Sequence, residues 1–157
     1  MDVLAEKDGK IYARDTIDRP GAFAPPFSGA LFPCLIWDHD GRFTDSARCA
    51  VTKALLDAGC RYAVCGGQNS EAWHDAVDTE FVKAHLDDSD DVRDSAHVMT
   101  TGHNRESPDD VGFFFGLNTN LGDQDFRRYL VLHIGTGPAQ DQIDTAVRKY
   151  ALDENAV

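Results

Sequence analysis

The chain has 157 residues, with 15 Lys and Arg against 27 Asp and Glu, and a formal charge of −12. Its length suits one domain of roughly 150 residues, and a chain of this size buries about two-thirds of its unfolded surface without disulfide or metal staples. Hydrophobic residues at 42% exclude global disorder, and the acidic balance argues against sequence-independent nucleic-acid binding and against docking to anionic lipid.

Met1 to Lys10 is polar and has no apolar signal-like core. No apolar run approaches the roughly 18 residues a membrane span needs, so a soluble, cytoplasmic protein is expected. The cysteines are Cys34, Cys49, Cys60 and Cys65. None forms a C-x-x-C pair or a zinc-knuckle spacing, which points to reduced thiols acting as small hydrophobes.

Residues 1–30 are weakly patterned and read as an N-terminal arm and loop, in which Ile11 to Arg14 suits a short edge strand. The α/β domain proper is expected over 31–157. Leu31 to Trp37 is a near-continuous apolar run, as in a strand buried on both faces. Asp38-His39-Asp40-Gly41 turns the chain. A helix capped by Thr44 or Asp45 follows, with Ala47, Ala50, Val51, Ala54, Leu55 and Ala58 on one stripe and Gly59 as its stop.

Arg61 to Cys65 predicts a second strand, closed by Gly66-Gly67-Gln68-Asn69. Ser70 then caps a helix over roughly 71–86, whose apolar face includes Trp73, Ala76, Val77 and Phe81. Asp87 to Asp94 reads as an acidic loop, and Ala96 to Thr101 as a third strand. Ser107 as cap, Pro108 at the first helical position and Asp109 and Asp110 at the positive dipole end predict a helix to about Leu117. Tyr129 to Ile134 predicts a fourth buried strand. A last helix carries Ile143, Ala146, Val147 and Tyr150 on one face. Alternating strands and helices imply an α/β fold: a small doubly wound, flavodoxin-like or Rossmann-like, mostly parallel sheet of about four to five strands with about four helices.

Ligands of such sheets bind outside the carboxyl ends of the strands. The glycine-bearing turns there, Gly66-Gly67 and Gly135-Thr136-Gly137, are candidates for cradling a phosphate or other anion on backbone N–H groups. No standard dinucleotide or P-loop motif is present. Asp38 and Asp40 at a strand end are candidates for Mg²⁺ binding or for nucleophile and acid/base roles. The stretch Leu35 to Ser46, an apolar strand running into Asp38-His39-Asp40-Gly41, resembles the first motif of the haloacid-dehalogenase-type phosphatases. That resemblance implies Asp38 as nucleophile and Asp40 as general acid/base. The chain departs from the family at Arg42, at Cys65-Gly66 where the second strand ends, and in the position of its later acidic run.

Glu71, His74, Asp75 and Asp78 share one helix face by their spacing. They suit either a metal-binding Glu-x-x-His or a solvated face. His103, past the third strand, is a candidate general base. Cys65 at a strand end is a candidate thiol nucleophile, with His74 or His103 as its base. His133 and His97, in apolar strands, suit core histidines with backbone partners. Phe113, Phe114 and Phe115 span about 200° of a helix, so one of them is free to reach the surface.

Gly59 to Gly67 with Glu71 to Asp78, and Ala96 to His103, resemble a set of small bacterial proteins whose domain has no assigned function. Two readings of function stand. One is a protein-binding module of immunity or inhibitor character, using Asp87 to Asp94 and the Glu71/Asp75/Asp78 face against a basic partner. The other is a small-molecule or phosphate site at the strand ends, hydrolytic or sensory, built from Asp38, Asp40, Glu71, His74 and His103.

Overall fold

Asp8 and Gly9 both adopt positive φ, 53° and 79°. That is the backbone of a two-residue hairpin turn, for which Asp-Gly is a preferred sequence. The turn joins β1 (Asp2–Lys7) to β2 (Lys10–Ile17) in antiparallel register. The computed structural model describes residues 1–153, and this hairpin is part of its main sheet. The N-terminal stretch is therefore not merely an arm. β2 is no edge strand: it runs parallel to β6 (Arg128–Ile134) over its full length.

From β2 the chain passes through a loop into β3 (Phe32–Asp38), whose seven residues are all buried. α1 (Asp45–Ala58) follows, then β4 (Cys60–Gly67), α2 (Ser70–Ala84), a short α3 (Asp90–Ser95), β5 (Met99–Gly102), α4 (Pro108–Leu117), β6 and α5 (Gln140–Ala151). The sheet has six strands in the order β1-β2-β6-β3-β4-β5, parallel except for β1.

α1 and α2 cover one face and α4 and α5 the other. On the first face Val51, Leu55, Trp73 and Val77 pack on Phe32, Ile36, Ala63 and Leu132. On the second, Val111, Phe115, Ile143 and Val147 pack on Leu35, Val64, Tyr129 and Val131. Alternate residues of β3 feed the two cores, which explains its unbroken apolar sequence. α4 lies very close to α5: a Cβ on Gly112 would stand 2.5 Å from that of Ala146.

Several local signals act as their chemistry suggests. The Thr44 hydroxyl accepts from Ala47 N–H, Gly59 ends α1 at φ 111°, and Ser107 with Pro108 starts α4. Others shift. Ser70 is the first residue of α2 rather than its cap. Asn69 takes the cap position at φ 53° without a side-chain bond to the helix, and the helix stops at Ala84. The acidic loop contains α3, capped by Ser89. The third strand is only four residues long and begins at Met99, so His97 lies before it, exposed, with its ring edge-on to Phe81. Phe115 is fully buried while Phe113 reaches the surface against Tyr150.

Candidate functional site

β3 lies between β6 and β4. The chain leaves β3 for α1 on one face and leaves β6 for α5 on the other. The loops after these two strands therefore start toward opposite faces, and the switch point between them, the β3/β6 crevice, is where ligands of such sheets bind. Asp38-His39-Asp40-Gly41 and Gly135-Thr136-Gly137 line it. The backbone N–H of His39 donates to Ile134 O at 3.0 Å, and that of Gly135 to Ile17 O at 2.8 Å, which fixes both loops to the sheet.

Asp38 is fully buried. Its Oδ1 accepts from the N–H groups of Asp40 and Gly41 at 3.3 and 2.8 Å, and its Oδ2 accepts from Trp73 Nε1 at 2.8 Å. Both oxygens are thus engaged by protein donors that hold the β3 turn and α2 together. Asp40 is exposed. Its Oδ1 accepts from Arg42 N–H and its Oδ2 lies 3.7 Å from Arg42 Nε. Mg²⁺ demands near-octahedral oxygen ligation. The pair does not fit it, because Asp38 faces N–H groups rather than open space. Among the described residues no group of three or more His, Cys, Asp or Glu is placed to hold a metal ion.

The glycines have steric reasons. Gly67 has φ 77° and a Cβ there would stand 2.3 Å from Asp38 O. At Gly66 it would meet the Trp37 ring at 2.8 Å. A Cβ on Gly135 would reach Asp40 Oδ2 at 2.7 Å, and one on Gly137 would reach His39 Nδ1 at 3.0 Å. The last two glycines let their loop lie close against His39 and Asp40. Thr136 between them is exposed.

A second cluster lies at the ends of β4 and β5. His103 is buried. Its Nε2 is 2.9 Å from Thr101 Oγ1, its Nδ1 is 2.7 Å from Glu106 Oε2, and its ring lies tilted against that of Phe114. His74 is half-buried beside Gly102 and pairs with Asp75 and Asp78 at 3.3 and 3.6 Å. Glu71 is exposed on the same outer face of α2. Cys65 is fully buried, and burial pushes its thiol far up, away from the thiolate a nucleophile needs. Cys34 and Cys60 are also buried, Cys60 raised to about 12 by burial, and all four cysteines are free.

A buried chain of polar side chains that no sequence spacing marks as a site centres on His133. His133, inside β6, is fully buried and has side-chain partners rather than a backbone one. Its Nε2 is 2.8 Å from Asp144 Oδ1, and its Nδ1 is 2.8 Å from His39 Nε2. Asp144 is buried on the sheet-facing side of α5, and its Oδ2 accepts from Arg14 Nη1 at 2.5 Å. Burial alone would raise the Asp144 carboxyl, but the hydrogen bonds and charges of His133 and Arg14 win and hold it below the ordinary value. Burial, then His133, lowers the His39 imidazole, against the opposing pull of Asp38, Asp40 and Asp144. Arg14, anchored also by Asp2, is raised by its bond to Asp144.

Cavities of 310–550 Å³ lie elsewhere. The 550 Å³ cavity is bordered by Arg14, Asp144 and Arg148, at the far end of the histidine chain. None of the four is lined by Asp38, Glu71 or His103.

Against known proteins, residues 13–150 match the model of a domain of unknown function, DUF7684. The chain belongs to that family. The match takes in β2 from Ala13 and every later strand, so the family unit begins inside the N-terminal hairpin. No curated protein and no solved structure matches the chain. Among the described residues no helix is long and apolar enough to cross a membrane.

Proposed function

We propose that this DUF7684 domain is a protein-binding module whose partner presents a basic surface. One observation carries the reading: large apolar side chains stand exposed inside the most acidic part of the chain. Leu86 is 64% exposed and Val92 47%, and Val82 just before them on α2 is 56% exposed. Around them Asp87, Asp90, Asp91 and Asp94 face solvent, with Arg93 drawn back onto His85 O and Leu86 O. Those bonds fold α3 against the end of α2, giving the segment a defined shape. β5 beside it is the last strand of the sheet, and among the described residues its outer edge carries no further strand. Apolar anchors within a rim of one charge suit a complementary protein surface.

The second reading, a phosphate-like ligand on the strand-end turns, meets Asp38 and Asp40 at the crevice, and their charge opposes an anion.

The test is affinity capture from the native host with the wild-type domain and with a triple Asp87→Lys, Asp90→Lys, Asp91→Lys variant. The expected result is a basic protein retained by the wild type and weakened by roughly tenfold or more in the variant and at high salt. Retention of the same protein by both forms, or of an acidic partner, would contradict the proposal.

A further inference from the structure

We propose that His39 is a fixed hydrogen-bond acceptor at the β3/β6 crevice, binding the hydroxyl of a small neutral molecule. The inference stands on the hydrogen-bond chain His39–His133–Asp144–Arg14 and is independent of the docking surface.

The chain determines where each proton sits. Asp144 is bound by Arg14 through Oδ2, and a carboxylate can only accept. His133 must therefore donate its Nε2–H to Asp144 Oδ1, at 2.8 Å. That leaves His133 Nδ1 bare, and it accepts from His39 Nε2–H at 2.8 Å. His39 is thereby held in the tautomer whose Nδ1 carries a free lone pair. This nitrogen has no protein hydrogen bond among the described residues, retains solvent access and lies against Gly137, where a Cβ would crowd it at 3.0 Å. The hydrogen bond at one ring nitrogen decides which tautomer a histidine adopts, and so which nitrogen is left to accept.

The hydroxyl donates its O–H to His39 Nδ1 and keeps its proton, so no bond breaks and no charge is created at the site. The charges around His39 are Asp38, Asp40 with Arg42, and Asp144 with Arg14. With three carboxylates nearby, an anionic ligand is disfavoured. His133 and Asp144 are positioning residues: neither needs to touch the ligand.

Asp144→Asn tests this sharply. Its amide can donate to His133 Nε2, which inverts the chain and places the His39 proton on Nδ1. Diethyl pyrocarbonate is a suitable probe, since a bare imidazole nitrogen attacks its carbonyl carbon and ethyl carbonate leaves with the electron pair. At pH 7 His39 should be modified at least several-fold faster than exposed His97. In Asp144→Asn the His39 rate should fall about tenfold while His97, the internal control, is unchanged. Ring ¹⁵N NMR should show His39 protonated on Nε2 in the wild type. If the variant fails to fold, that wild-type spectrum decides alone. A wild-type His39 protonated on Nδ1, or an unchanged His39 rate in a folded variant, would overturn the proposal. For the ligand class, glycerol should move the Gly135 and Gly137 amide signals and inorganic phosphate should not. Any other pattern overturns the assignment of a hydroxyl ligand.

Discussion

Gly67→Ala should lower the free energy of unfolding by about 3–5 kcal/mol. Two costs add at this position. A non-glycine residue in the left-handed region costs about 1–2 kcal/mol by itself. The added Cβ would also stand 2.3 Å from Asp38 O and 3.0 Å from Asp38 N. Those are backbone atoms of β3, so relief requires the two central strands to separate just where β3 pairs with β4. Gly122→Ala provides the comparison. Its φ is 54°, but nothing lies within 4 Å of the added carbon. It should cost only the conformational share, about 1 kcal/mol. Urea denaturation of both variants separates the two terms, and equal losses would contradict the close approach of β4 to Asp38.

Asp38→Asn should cost about 2–4 kcal/mol, although it changes shape hardly at all. The side chain accepts three hydrogen bonds, from two backbone N–H groups and from the indole of fully buried Trp73. An amide has only one accepting oxygen. If that oxygen stays with Gly41, the NH₂ group faces the Trp73 N–H, two donors with no acceptor between them. If it turns, the turn N–H groups lose theirs. Asp40→Asn, at the surface, should stay within about 0.5 kcal/mol. Equilibrium unfolding monitored by Trp fluorescence suits the test, because the affected indole is one of the two reporters. A loss no larger for Asp38 than for Asp40 would remove the anchoring role described here.

The pattern Asp38-His39-Asp40-Gly41 illustrates how residue types and residue roles separate. A strand ending in Asp-x-Asp-Gly suggests a phosphatase-like pair, because both carboxylates are taken to point outward. The structure turns Asp38 inward onto Trp73, some 35 residues away in sequence. The residue between them, His39, is the one joined to the buried polar chain. Its partner His133 lies 94 residues on, and Asp144 a further 11 beyond that. No local spacing encodes such contacts. A signal was nevertheless present. His133 interrupts an apolar strand, and Asp144 falls between Ile143 and Ala146 on the buried stripe of α5. Polar groups on core-facing positions require partners, and two of them on adjoining elements are candidates for each other.

The fold was far more legible, because it depends on repeated local patterns. β3 and β6 carry the apolar runs of doubly covered strands, and α1 carries both its stripe and its two stop signals. The hairpin of β1 and β2 was harder to see. Lys10, Arg14, Asp15 and Thr16 interrupt its alternation, and Asp8-Gly9 is a short cue beside weak strand patterning. β5 was misplaced because an edge strand of four residues needs little hydrophobicity, while the buried Val98 lies just before it. The helical spacing runs on to Leu86, although α2 stops at Ala84. That early stop turns Leu86 and Val92 outward with the aspartates and produces the proposed docking face.

Cross-linking mass spectrometry on the complex of this domain with its retained partner tests the central claim most directly. An acid-directed cross-linker joining carboxylates to partner lysines is the reagent of choice, given the charges involved. The account predicts links concentrated at Asp87, Asp90, Asp91 and Asp94, with few at Asp40, Asp141 or Asp2. Links centred on Asp40 and the mouth of the β3/β6 crevice, with the α2–α3 segment unmodified, would contradict it.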